Sequence, residues 1–157
     1  MSGPEVPHIR RADHVGFCVS SLPRALRFWT EAMGARQERR GEMGGEFLAQ
    51  VTGAKDATVS FAVVTLAGQA VELLEYAGTP RPAAPAAPYD PGFAHLALEV
   101  DDLEAVAARI APHGWRLQGL PQVIAAGVRA GTRVAYAVGP DGETIELMQP
   151  PAPAPEP

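Results

Sequence analysis

Two histidines and two glutamates of this chain recur in a pattern suited to metal chemistry. His14 precedes Glu72, and His95 precedes Glu146 at a similar separation. Two imidazoles and two carboxylates are a donor set for a divalent transition metal. Four protein ligands on a six-coordinate ion leave two positions for water or for neighbouring substrate oxygens. Such an ion polarises a carbonyl and lowers the cost of removing the adjacent proton. A nearby carboxylate can take that proton; Glu146 is the first choice for this base and Glu72 the second. Taken singly, each histidine reads most simply as a strand residue on a solvated face. The four together read differently, because they occupy equivalent positions in an internal repeat.

The repeat is visible when the two parts of the chain are laid on one another. Ala12-Asp-His14-Val-Gly-Phe-Cys-Val-Ser-Ser-Leu22 matches Phe93-Ala-His95-Leu-Ala-Leu-Glu-Val-Asp-Asp-Leu103. Val71-Glu72-Leu-Leu-Glu-Tyr76 matches Ile145-Glu146-Leu-Met-Gln-Pro150. Val15, Phe17 and Val19 alternate with smaller or polar residues, as do Leu96, Leu98 and Val100, which is strand periodicity. Ser20-Ser21 and Asp101-Asp102 then supply helix caps. Leu22, Leu26, Trp29 and Met33 form one helical stripe, and Leu103, Val106, Ala107 and Ile110 the other. A glycine follows each helix (Gly34, Gly114), then strands. The spacing predicts hairpins from Thr58 to Tyr76 and from Thr132 to Gln149, turning at Ala67-Gly68-Gln69 and Gly139-Pro-Asp-Gly142.

Each part is thus βαβββ, with the strand just after the glycine the least defined. Strand parity places His14, Glu72, His95 and Glu146 on the face opposite the helices. The same parity lines the adjoining substrate pocket with Cys18, Leu74, Tyr76, Glu99 and Met148. These five read most simply as side chains that fill the cup, Cys18 as a small packing residue; the alternative for Glu99 is an outer partner or second acid–base group.

Composition limits the rest. The chain has 157 residues, one cysteine, a net charge of −5 and a pI near 5.3. This predicts no nucleic-acid partner, since there is no basic stripe. It also predicts no membrane span, since no apolar run is long enough. The single cysteine and the N-terminus without an apolar core point to the cytoplasm. Many of the sixteen prolines fall in two stretches, where missing N–H groups exclude helix and sheet interiors. The domain plan is a first module at 10–77, a Pro/Ala-rich linker at 78–91, a second module at 92–150 and a Pro-rich tail at 151–157.

These motifs resemble the vicinal oxygen chelate (glyoxalase/bleomycin resistance/extradiol dioxygenase) superfamily. The likeness spans about residues 10–150. It rests on Asp13-His14-Val-Gly-Phe with its following helix, Val-Glu72-Leu-Leu-Glu, Ala-His95-Leu-Ala-Leu-Glu-Val-Asp-Asp and Gly-Pro-Asp-Gly-Glu-Thr-Ile-Glu146-Leu. The resemblance implies an α+β fold of two tandem βαβββ modules, forming a cup-shaped mixed sheet with helices on its outer face, and a homodimer. It implies that His14, Glu72, His95 and Glu146 hold the metal (Ni, Zn, Co, Mn or Fe). The ligand order is closest to bacterial glyoxalase I and methylmalonyl-CoA epimerase. The implied activity is isomerase, epimerase or lyase on a small carbonyl substrate, through an enediolate or enolate. Cys18 and Tyr76 stand where the glyoxalase pattern has glutathione-binding Arg and Asn, which argues against glutathione. An Fe-dependent dioxygenase and a small-molecule-binding self-resistance protein are the competing classes.

Overall fold

The computed structural model describes residues 9–81 and 84–153. The central part of the predicted linker (82–83) and the end of the tail (154–157) lie outside them, as do residues 1–8. The class is α+β, as expected, with one sheet per module.

The first module runs β1 (Val15–Cys18), α1 (Leu22–Arg27), β2 (Arg36–Gly44), α2 (Gly45–Thr52), β3 (Thr58–Leu66) and β4 (Gln69–Ala77). Its sheet has the order β1-β4-β3-β2. The second runs β5 (Leu96–Glu99), α3 (Leu103–Ile110), β6 (Arg116–Leu117), β7 (Gln122–Val123), β8 (Arg133–Val138) and β9 (Thr144–Gln149). Its sheet has the order β5-β9-β8-β6, with β7 also paired to β8. In each module the first strand pairs in parallel with the last. A parallel pair needs a long crossover, and the helix and hairpin between supply it.

Helices α1 and α3 are each tied to the last strand of their own sheet. The Ser21 hydroxyl caps α1 by accepting from the Arg24 N–H, and the Asp102 carboxylate caps α3 by accepting from Ala105 N–H. The next orphan donor of each helix is satisfied from the strand. Leu22 N–H donates to Glu75 Oε2 at 2.6 Å, and Leu103 N–H donates to Gln149 Oε1 at 2.9 Å. Glu75 and Gln149 are repeat equivalents, so the same anchor is built twice. α1 then widens to a π-helical turn over Phe28–Ala32, with Met33 N–H donating to the Phe28 carbonyl. The extra residue in that turn brings Phe28 inward beside Trp29, a position the simple stripe did not assign to the core.

Three details differ from the sequence reading. The β3–β4 turn has two residues rather than three, because Ala67 and Gly68 both adopt positive φ (49° and 80°), the geometry that matches strand twist. The segment after β2 folds into α2, closed by Gly53 in the left-handed region (φ 77°); only Leu48 of its apolar residues is buried, while Phe47 and Val51 are exposed. The strand after Gly114 is broken into β6 and β7, with Pro121, which has no N–H to donate, between them.

The two modules share one core. Val71, Leu73, Ile145 and Leu147 are fully buried against it, with Leu22, Trp29, Leu103 and Ile110 from the helices. Phe28 stacks on Trp115 of the second module at 4.0 Å between ring centroids and 10° between planes. Arg109 Nη2 donates to the Glu31 carbonyl nearby. Trp115→Ala is expected to cost about 3–5 kcal/mol. Urea unfolding followed by tryptophan fluorescence and by circular dichroism should show one shared transition at lower midpoint.

Candidate metal centre

Register carries the candidate ligands to their places. β1 and β4 pair with Val15 opposite Val71 and Gly16 opposite Glu72. β5 and β9 pair with Leu96 opposite Ile145 and Ala97 opposite Glu146. The partners of this shared register bury Val71, Leu73, Ile145 and Leu147 on the helix side. Alternation turns Glu72 and Glu146 to the other face. His14 and His95 each stand one residue before their strand.

The result is two nearly identical pairs. His14 Nε2 lies 3.0 Å from Glu72 Oε2, and His95 Nε2 lies 3.1 Å from Glu146 Oε2. The histidine side chains are 37% and 32% exposed and the glutamates 15% and 20%, so both pairs can be reached. Imidazole and carboxylate donors bind a divalent ion at about 2.0–2.2 Å. Two such donors at right angles stand about 3.0 Å apart, the separation found within each pair. Each pair by itself could therefore fill two positions on a divalent transition ion. Each module presents two of the donors. Among the described residues, no group of three or more His, Cys, Asp or Glu side chains is gathered closely enough to hold one ion.

Both histidines have an outer partner at the other ring nitrogen. Asp13 Oδ2 lies 2.9 Å from His14 Nδ1, and Arg11 pairs with Asp13 in turn. The hydrogen bond with His14, then the Arg11 guanidinium, holds the Asp13 carboxyl below its usual range. The Tyr136 hydroxyl lies 3.3 Å from His95 Nδ1. The sequence reading did not assign Tyr136 a role. The signal was there in the second hairpin, whose register sets Tyr136 opposite Glu146.

The expected pocket residues are dispersed around these pairs. Leu74 and Tyr76 pack with Leu48 of α2 and Val59, and burial pushes the Tyr76 hydroxyl pKa up. Met148 is half-buried on β9, and Glu99 pairs with Arg129 at 3.5 Å. Cys18 is exposed on the edge strand β1, and partial burial pushes its thiol up. It lines a cavity of about 570 Å³ together with Ser20, Arg81, Phe93, Asp141 and Glu143. A second cavity, of about 270 Å³, is lined by Glu146, Tyr136, Gln118, Leu120 and Gln122.

The larger cavity has an acidic wall. Asp141 accepts from the Ser20 N–H at 2.8 Å and from Arg24 at 3.1 Å. Burial opposes its ionisation, but these contacts hold the carboxyl below its usual range. Burial pushes the Glu143 carboxyl from 4.5 up to about 7. The folded state therefore binds the Glu143 proton more tightly than the unfolded chain. The resulting stabilisation is complete below about 4.5 and is lost as pH rises through about 7. Glu143→Gln should flatten the fall in stability between pH 5 and pH 8, read from urea midpoints across that range.

Comparison with known proteins agrees with this fold. The model of the Glyoxalase/Bleomycin resistance protein/Dioxygenase superfamily matches residues 11–147. A 2-epi-5-epi-valiolone epimerase from Actinomyces sp is 32% identical, over 99% of this chain and 87% of its own length. The lactoylglutathione lyase GLX1 of Arabidopsis thaliana is 29% identical over 94% of this chain, which spans 47% of that protein. The crystal structure of a glyoxalase family protein from Bacillus cereus superposes with a TM-score of 0.76, at 26% identity, over 92% of this chain and 96% of that one. The curated relatives are enzymes, and this places the chain among enzymes. Among the described residues, no helix is long and apolar enough to cross a membrane. The chain belongs to the Glyoxalase/Bleomycin resistance protein/Dioxygenase superfamily.

Proposed function

We propose that the protein is a metal-dependent epimerase or isomerase of a small hydroxylated ketone. His14, Glu72, His95 and Glu146 would hold the ion, and a homodimer is the proposed assembly. The observation that carries the reading is the duplicated His–Glu pair, at 3.0 Å and 3.1 Å. The epimerase relative supports the choice of reaction, since it aligns over almost the whole chain.

When bound, a divalent ion would polarise the substrate carbonyl and stabilise negative charge on its oxygen. The protein's own groups then have a defined task. Epimerisation requires a proton to leave the carbon beside the carbonyl and return to its other face. Glu146 is the proposed base for the first transfer and Glu72 the proposed partner for the second. Each glutamate lies against an imidazole, which orients it. Asp13 and Tyr136 in turn orient those imidazoles. Of the expected pocket residues, Cys18, Glu99 and Met148 are proposed as the polar and polarisable wall. Leu74 and Tyr76 hold the Glu72 strand in place against α2. Glutathione is not the proposed substrate, because Cys18 and Tyr76 offer no cation or amide for its carboxylates.

The test is solvent-proton exchange. The protein is loaded with a divalent metal and incubated in D2O with 2-epi-5-epi-valiolone and other small α-hydroxyketones. Deuterium should appear at the carbon next to the carbonyl. Chelation should abolish the exchange, and Glu146→Gln should slow it by about 10²–10⁴-fold. Exchange that survives chelation contradicts the proposal. So does a metal-loaded protein that exchanges none of these ketones.

A further inference from the structure

We infer that Tyr136 is a positioning residue for His95, doing in the second module what Asp13 does for His14 in the first. The inference rests on the reading of both histidines as metal ligands. An imidazole that binds an ion through Nε2 carries its proton on Nδ1. That N–H needs an acceptor, and the acceptor fixes both tautomer and ring orientation. His14 has the Asp13 carboxylate at 2.9 Å. His95 has the Tyr136 hydroxyl at 3.3 Å, with the two rings 4.8 Å apart and tilted by 43°.

The two devices replace one another across the repeat. The residue before His95 is Ala94, which offers no side-chain acceptor where Asp13 stands in the first module. The position opposite Glu146 is Tyr136, whereas the position opposite Glu72 is Val63. Each module thus lacks the other's outer partner and has its own. Both deliver a hydrogen-bonding oxygen to Nδ1 of the equivalent histidine. They differ in one respect. A carboxylate only accepts, so Asp13 suits only the Nδ1–H form of His14. A hydroxyl accepts or donates. Tyr136 therefore keeps His95 partnered both when Nε2 carries the proton and donates to Glu146, and when Nε2 is bare for an ion. The second module can change tautomer on loading without losing its support.

Tyr136→Phe removes only the hydroxyl oxygen and keeps the ring that packs on His95. Calorimetric titration with Ni²⁺ alone should show binding weakened by about 10–100-fold, with an unchanged circular dichroism spectrum. Adding Ala94→Asp to Tyr136→Phe should recover most of that loss, because it transplants the first module's device. Unchanged Ni²⁺ affinity in Tyr136→Phe overturns the inference, and so does a weakened variant that Ala94→Asp fails to rescue. Imidazole ¹⁵N shifts of the metal-free protein give an independent readout. In the parent, His95 Nδ1 should show the shift of a hydrogen-bonded nitrogen, and in Tyr136→Phe that of an unpartnered one. A parent protein that binds no Ni²⁺ overturns the metal reading itself. The positioning role then stands or falls on the Nδ1 shift, and an identical His95 Nδ1 shift in parent and variant would sink it.

Discussion

The parallel pairing of the first and last strands within each module is the constraint on which the candidate site depends. Because side chains alternate along a strand, this one register decides two things together. It buries Val71, Leu73, Ile145 and Leu147 on the helix side, and it turns Glu72 and Glu146 outward beside His14 and His95. A slip of one residue would exchange the faces, placing carboxylates in the core and valine or leucine beside the histidines. Burial of the aliphatic residues therefore enforces the geometry of the polar ones. At about 25 cal/mol per Å² of apolar surface removed from water, each fully buried Leu or Ile here resists that slip by a few kcal/mol.

The register is reinforced from the helices. Glu75 and Gln149 hold the first N–H of α1 and α3, so each of these helices is fastened to the strand that carries Glu72 or Glu146. The Phe28–Trp115 stack then joins the modules through the helix side, whereas the face that carries Glu72 has its own small apolar cluster of Leu48, Val59, Leu74 and Tyr76. Division of labour follows from the two-sided sheets. The helix side supplies the shared apolar core, and the other side carries the partly exposed His–Glu pairs.

Much of this was legible in the sequence, because its signals were short-range or repeated. Alternation at Val15–Val19 and Leu96–Val100 gave the opening strands, and the matching Val-Glu-Leu and Ile-Glu-Leu runs gave the closing ones. The duplicated order turned four ordinary polar residues into one candidate set. Helix α2 was not legible, since only Leu48 of its residues is buried and its packing partners Val59, Leu74 and Tyr76 come from other strands. The roles of Glu75 and Gln149 were hidden for a similar reason: a side chain that caps a distant helix leaves no local pattern. Tyr136 reads as one more strand aromatic until the hairpin register sets it opposite Glu146. The raised Glu143 carboxyl depends on burial at the second hairpin turn, which spacing alone does not reveal.

The central proposal is that one His14–Glu72 pair and one His95–Glu146 pair share a single metal ion. Metal stoichiometry in ligand variants measures this most directly. The parent protein should bind one divalent ion per chain. His14→Ala and His95→Ala, which lie in different modules, should each lose that ion while keeping the parent's circular dichroism. Two ions bound per chain, or an ion retained at full stoichiometry after either substitution, would contradict the account.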